Sequence, residues 1–217
     1  MSKNTSKKVI KNLYQMLYTI DRILTFNNIT YWLTAGSFLG SIRHGGIIPW
    51  DDDIDICIHN YDLKKLLELK SIFSKCNYTI SKKTHKYYIH GKKDEYPYID
   101  IYPMKKDGNK YIHIFKKDDY FEEEKLFPLK RIAFGGFLAF VPKEYKDYLR
   151  KNYGRSWKTK DENGMKIKTL KPAKPFNISQ KCLPAFRNES KGASPLNSFF
   201  DRIFVINLHD YRDRKSV

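Results

Sequence analysis

Residues 50–60 read WDDDIDICIHN. Four carboxylates, Asp51, Asp52, Asp53 and Asp55, fall within five positions and run into an alternation of isoleucine with Asp, Cys and His. Period-two alternation marks a strand with one dry face. Ile54, Ile56 and Ile58 then share the core face. Asp53 and Asp55 share the opposite face, joined by Asp51 if the strand reaches back that far. Residues two apart on a strand sit roughly 6.5–7 Å apart at the backbone, so the carboxylates can lean together. Without a cation they repel one another or hold a proton. A solvated acidic turn or a helix-capping cluster explains many DDD runs. This one opens a strand, so capping does not apply, and the apolar alternation forces the acids onto one side.

The chain has 217 residues, enough for one domain of about 100–200 residues plus an appendage. An apolar share of 41% supports a packed core. The net charge of +17 is carried mostly by lysine. It suits an anionic partner, whether nucleic acid, a membrane surface or a phosphorylated substrate. It also suits a simple codon bias, because Lys, Asn, Ile, Tyr and Phe are all abundant. The basic residues are dispersed and no nucleic-acid-binding signature accompanies them, so nucleic acid is not the favoured partner. Three widely spaced cysteines, Cys57, Cys76 and Cys182, argue against a disulfide framework and a Cys-rich zinc site. They point to the cytoplasm or another reducing compartment. The basic N-terminus lacks an apolar core region and no window approaches 18 apolar residues, so neither a signal peptide nor a transmembrane segment is expected.

Val9, Leu13, Leu17, Ile20 and Leu24 predict a helix over 8–27. Thr30–Thr34 is a strand candidate. SFLGSIR follows as a short helix, with Ser37 as the expected N-cap. Gly45, Gly46 and Pro49 mark a loop before the strand DIDICIH. Residues 61–75 predict a second helix. Residues 78–141 read as mainly β, in the runs YTISKK, KYYIHG, YPYIDIYPM, KYIHIF and GFLAFVP. Pro142 is expected to begin a third helix, which Gly154 ends. Residues 158–196 hold four prolines and no sustained periodicity, as in a linker or draped tail.

Oxygen-only ligands favour Mg²⁺ or Mn²⁺, where zinc or copper would want His or Cys. Such a site needs a third carboxylate from a neighbouring strand. Asp100, flanked by Ile99 and Ile101, projects alone from an apolar run. The small-residue turn Gly36-Ser37 precedes a short helix whose first N–H groups can hold a phosphate. The order is strand, Gly-Ser turn, helix, Asp-x-Asp strand and a later lone Asp. That is the order of the nucleotidyltransferase fold of the DNA polymerase β class. The expected class is therefore α+β, a mixed sheet with flanking helices.

Tyr31–Ile58, YWLTAGSFLGSIRHGGIIPWDDDIDICI, closely resembles the signature of the LicD/fukutin family of phosphocholine and ribitol-phosphate transferases. YIDIYPM resembles that family's later acidic strand and YLRKNYGRSW its closing helix, so the likeness spans about residues 10–157. It implies transfer of a phospho-alcohol, phosphocholine or ribitol phosphate for instance, from a CDP-alcohol to a glycan hydroxyl. Asp53, Asp55 and Asp100 would hold the metal and be the catalytic residues, with Asp51 supporting them. Gly36 and Ser37 would position phosphates. Arg43 and His44 would hold the diphosphate or assist the leaving group. Asp100 near the acceptor hydroxyl can take its proton. Members with a Cys-rich zinc subdomain have no counterpart here, so a minimal acceptor apparatus is expected.

The last stretch, FDRIFVINLHDYRDR, resembles the opening strand of glycosyltransferase family 25. The expected organisation is a nucleotidyltransferase-type domain over 1–157, a linker or draped tail over 158–196, and, over 197–217, the first strand of a truncated glycosyltransferase in preference to a final strand docked on the first domain. Two other readings compete: a nucleotidyltransferase acting on RNA or a small molecule, and a non-catalytic basic binding module.

Overall fold

Helix α1, Lys7–Phe26, begins where the Ser6 hydroxyl accepts the Val9 N–H at 3.3 Å, and it buries the predicted stripe of Leu13, Leu17, Ile20 and Leu24 completely. A computed structural model supplies the coordinates and describes residues 4–91, 97–160 and 167. Helix α1 is followed by β1 (Tyr31–Leu33), α2 (Ala35–Arg43), β2 (Asp53–His59), α3 (Leu63–Glu68), α4 (Lys70–Lys75), β3 (Tyr78–Lys83), β4 (Lys86–Gly91) and β5 (Tyr98–Asp107). Next come β6 (Lys110–His113), β7 (Lys116–Glu122), α5 (Glu123–Leu126), β8 (Lys130–Phe134), β9 (Phe137–Val141) and α6 (Lys146–Tyr153).

The main sheet has the order β1-β2-β5-β4-β3. Strands β2 and β5 are parallel, and the other neighbours are antiparallel. The far end of β5 carries β6, which pairs with β7. Strands β8 and β9 form a separate hairpin. The mixed α+β class expected from the sequence is what the chain adopts. The sheet has two unlike faces. Ile54, Ile56, Ile58, Ile89, Ile99 and Ile101 are fully buried on one, and α1 lies against β2 and β5. By parity, Asp53, Asp55, Asp100, Tyr102, Lys86 and Tyr88 share the other.

A buried polar knot ties three elements together. Asp21 on α1 accepts the Tyr31 hydroxyl at 2.7 Å and an Arg131 guanidinium N–H at 2.8 Å. Arg131 also lies over the Phe140 ring at 4.0 Å. Burial pushes the Asp21 carboxyl up, and the Arg131 charge pulls it back down.

Several boundaries differ from the sequence reading. Thr34, not Ser37, is the N-cap of α2. Ala35 adopts φ +43°, so the turn starts early, and the Tyr148 hydroxyl bonds the Thr34 hydroxyl at 2.9 Å and accepts the Ala35 N–H at 3.3 Å. Helix α6 begins at Lys146 rather than Pro142, because the Lys143 and Glu144 N–H groups bond the Leu126 and Lys125 carbonyls and hold that stretch outside the helix. The 61–75 helix is split into α3 and α4 at Leu69, whose N–H bonds the Leu66 carbonyl three residues back. KYIHIF is not one strand: the His113 ring accepts the Phe115 N–H at 3.0 Å and turns the chain. Strands β7 and β8 and helix α5 escaped the sequence reading because charged residues mask their period. Gly154 ends α6 at φ +74°, as expected. The linker and tail, apart from 158–160 and 167, lie outside the described residues, as does Cys182. No described helix is long and apolar enough to cross a membrane.

Replacing Arg131 by Met strands the Asp21 carboxylate in the core. We expect a loss of about 2–3 kcal/mol in urea unfolding at neutral pH. The loss shrinks in acid, where Asp21 takes up a proton. A neutral result at both pH values would refute the role given to this knot.

Candidate active site

The parallel register of β2 and β5 sets Asp55 directly opposite Asp100, with Asp53 two residues earlier on the same face. Carboxylate oxygens of Asp53, Asp55 and Asp100 all lie within 4.8 Å of one another. Asp55 is 8% exposed and Asp100 only 2%. The strand begins at Asp53, so Asp51 approaches from the loop before it. The Asp51 N–H bonds the Ile48 carbonyl at 2.9 Å, which turns that loop back. Oxygens of Asp51, Asp52 and Asp53 form a second group within the same 4.8 Å limit.

Helix α2 closes this face. A Cβ added at Gly36 would sit 2.8 Å from Asp51 Oδ2 and 3.8 Å from Asp55 Oδ2. The site thus has room for a glycine there and nothing larger unless Asp51 moves. Ser37 is buried, and its hydroxyl accepts the Asp55 N–H at 2.9 Å. The hydroxyl that sequence reading assigned to capping therefore fixes the backbone of an acidic residue. The first N–H groups of a helix lack intrahelical partners, and that of Ala35 is taken by Tyr148.

Two groups missed by sequence reading hold the carboxylates. The Tyr102 hydroxyl donates to Asp55 Oδ1 at 3.2 Å. Lys86 Nζ forms an ion pair with Asp100 Oδ2. Strand parity in YIDIYPM places Tyr102 on the face of Asp100, so that signal was present. Lys86 had none, because only the β4–β5 register brings it there.

Burial, then the Asp53 charge, raises the Asp51 carboxyl to about 7. Asp53 is raised by burial and then by Asp100 and Asp52, with Lys86 opposing. Asp55 lies well above the usual range through burial and the charges of Asp53, Asp100 and Asp51. These acids are stacked closer than ionised carboxylates alone accept.

Arg43 and His44 sit at the other end of α2. The Arg43 guanidinium donates to the carbonyls of Trp157 at 3.0 Å and Lys160 at 3.2 Å, and its Nε–H donates to His44 Nδ1 at 3.3 Å. Burial, then the Arg43 charge, lowers His44 to about 4, so it is neutral at pH 7. The Tyr153 hydroxyl, on α6, is raised by burial and then by the charges of Asp55 and Asp51, while the Arg43 charge lowers it.

The acids dictate a pH dependence. With Asp51 at about 7 against an ordinary 3.8, the folded state binds more protons than the unfolded chain between those values. Stability therefore falls as pH rises through that window. In EDTA, the melting temperature should be higher near about pH 5 than near about pH 8. Saturating Mg²⁺ or Mn²⁺ should raise the alkaline value most, because a cation removes the repulsion. Circular-dichroism melts measure both, and a flat EDTA profile would contradict the charge coupling.

The protein-family model described as "LicD/FKTN/FKRP, nucleotidyltransferase domain" matches residues 28–144. Uncharacterized protein RT0683 of Rickettsia typhi is 36% identical over 63% of this chain and 44% of its own length. Human ribitol 5-phosphate transferase FKRP is 30% identical over 61% of this chain and 29% of its own. Lipopolysaccharide cholinephosphotransferase LicD of Haemophilus influenzae is 44% identical over 19% of this chain and 16% of its own. The chain spans less than half the length of each of these relatives. The matched span is more than half of the chain and carries β1, α2 and the two strands from which Asp53, Asp55 and Asp100 project, and on that ground the chain belongs to the LicD/FKTN/FKRP family.

Proposed function

We propose that this chain is a phosphotransferase that moves a phospho-alcohol, of the phosphocholine or ribitol-phosphate kind, from a CDP-alcohol to a glycan hydroxyl. Asp53, Asp55 and Asp100 are the catalytic and metal-holding residues in this reading, with Asp51 in support and Mg²⁺ or Mn²⁺ as the ion. The observation that carries it is the convergence of three carboxylates from two strands within 4.8 Å. The donor set fits a hard dication. It is all oxygen, it is half-buried to buried, and burial and then mutual repulsion make Asp53 and Asp55 hold their protons more tightly than usual, as a cluster short of positive charge does. When bound, such an ion neutralises diphosphate charge and stabilises the departing CMP.

The chain's own groups do the positioning. Ser37 and Tyr102 fix the backbone and one oxygen of Asp55, so its other oxygen keeps a set direction. Gly36 lets the start of α2 come close to the acids with no side chain between them, and donor phosphates meet helix N–H groups there. The acceptor oxygen bonds the phosphorus that bears the alcohol, the bond from that phosphorus to the CMP oxygen breaks, and the hydroxyl proton passes to Asp100. Arg43 meets the diphosphate or the leaving group as the neutral His44 donates a hydrogen bond. The +17 net charge draws in a polyanionic donor. In the same reading the catalytic unit ends near residue 157, 158–196 is a linker, and 197–217 opens a glycosyltransferase family 25 domain. The setting is a reducing compartment.

Isothermal calorimetry with CDP-choline, CDP-ribitol and ATP, each with and without Mn²⁺, tests the donor. Metal-dependent binding of a CDP-alcohol over ATP is expected. A preference for ATP, or RNA binding with a steep salt slope and no preference for CDP, would replace this reading with the nucleotidyltransferase or binding-module one. Asp53→Ala should abolish turnover with the fold intact by circular dichroism. Tyr102→Phe should weaken metal affinity about tenfold with little change in melting temperature.

A further inference from the structure

Lys86 is the first residue of β4, just after the turn at Thr84 and His85. Tyr88 pairs with Asp100 and Tyr87 with Ile101 in the antiparallel ladder. One step further puts Lys86 beside Tyr102 and diagonal to Asp100, on the acidic face. Its ammonium is paired with Asp100 Oδ2, and its charge also reaches Asp53. It is therefore a positive charge of the chain's own, placed at the cluster that most lacks one. The Lys86 side chain is 29% exposed while that of Asp100 is 3% exposed, so the carboxylate is fixed and the ammonium has a path to water. A flexible four-carbon stem on a compact charge suits such movement.

We propose that Lys86 is a resident counter-cation that occupies Asp100 while no metal is bound, leaves that carboxylate when a divalent ion enters, and turns its ammonium to the anionic donor. This rests on the metal site proposed above. An ammonium and a dication on one carboxylate repel each other, so loading the ion and releasing the lysine are one exchange. The exchange keeps the acids folded together before the ion arrives. It also delivers a phosphate-binding charge only once the site is loaded. The competing geometry has Lys86 stay on Oδ2 permanently and hold Asp100 for the ion.

Mn²⁺ titration of the full chain, read by the electron paramagnetic resonance signal of the free ion, separates the two. If Lys86 is a competitor, Lys86→Met binds Mn²⁺ more tightly, by about tenfold for the loss of one charge-assisted bond. The same variant melts lower than wild type in EDTA and recovers with Mn²⁺. Unchanged or weaker Mn²⁺ binding by Lys86→Met overturns the proposal. If wild type binds Mn²⁺ and Asp53→Ala does not, that failure leaves the metal site standing. If wild type and Asp53→Ala bind alike, the metal site itself falls and the exchange with it. A second measurement needs no variant: labelling of Lys86 by an amine-reactive reagent, followed by peptide mass spectrometry in EDTA and in saturating Mg²⁺. Faster labelling in Mg²⁺, relative to exposed Lys64, is expected, and equal or slower labelling overturns the exchange.

Discussion

The register that sets Asp55 against Asp100 is the constraint on which the rest depends. Parallel strands cannot be joined by a tight hairpin. Here the connection between β2 and β5 carries α3, α4, β3 and β4, and the last of these returns to pair with β5 from its other side. The chain that closes the crossover thereby brings Lys86 to the acids. Slipping β5 by one residue would exchange Asp100 for Ile99 or Ile101 and put a carboxylate into the isoleucine core. The dry face therefore enforces the wet one. Burial of isoleucines, each contributing about 2 kcal/mol, offsets the repulsion of carboxylates on the opposite side.

Around that register the molecule uses small, local contacts to hold charge in place. Ser37, Tyr102 and Lys86 each engage a different acidic residue or atom, from α2, β5 and β4. Tyr148 reaches from α6 to the strained start of α2. Ala35 gains nothing from its side chain at φ +43°, unlike Asn28 and Asn77 in the same region, whose amides tolerate it. The cost, of order 1 kcal/mol, falls at the junction that orients Gly36 and Ser37.

Much of this was legible in the residues. Strand alternation in DIDICIH and YPYIDIYPM located two strands, gave their faces, and singled out Asp53, Asp55 and Asp100. The stripe from Leu13 to Leu24 gave α1. What stayed hidden depends on tertiary partners. The end of α6 was marked by Gly154, but its start depends on carbonyls of α5. Ser37 looked like a cap because hydroxyls cap helices; only the proximity of β2 shows it bonding the Asp55 amide. Arg43 read as a residue for the diphosphate or the leaving group, whereas its guanidinium also holds the carbonyls of Trp157 and Lys160, more than a hundred positions later. Lys86 is one of many lysines until two strands are laid side by side.

The space at Gly36 has a mechanical consequence. The start of α2 and the Asp51 carboxylate lie so close that a single added carbon at Gly36 would meet Asp51 Oδ2. Any residue larger than glycine at position 36 therefore displaces Asp51 as well, so the helix start and the acidic loop admit change only together.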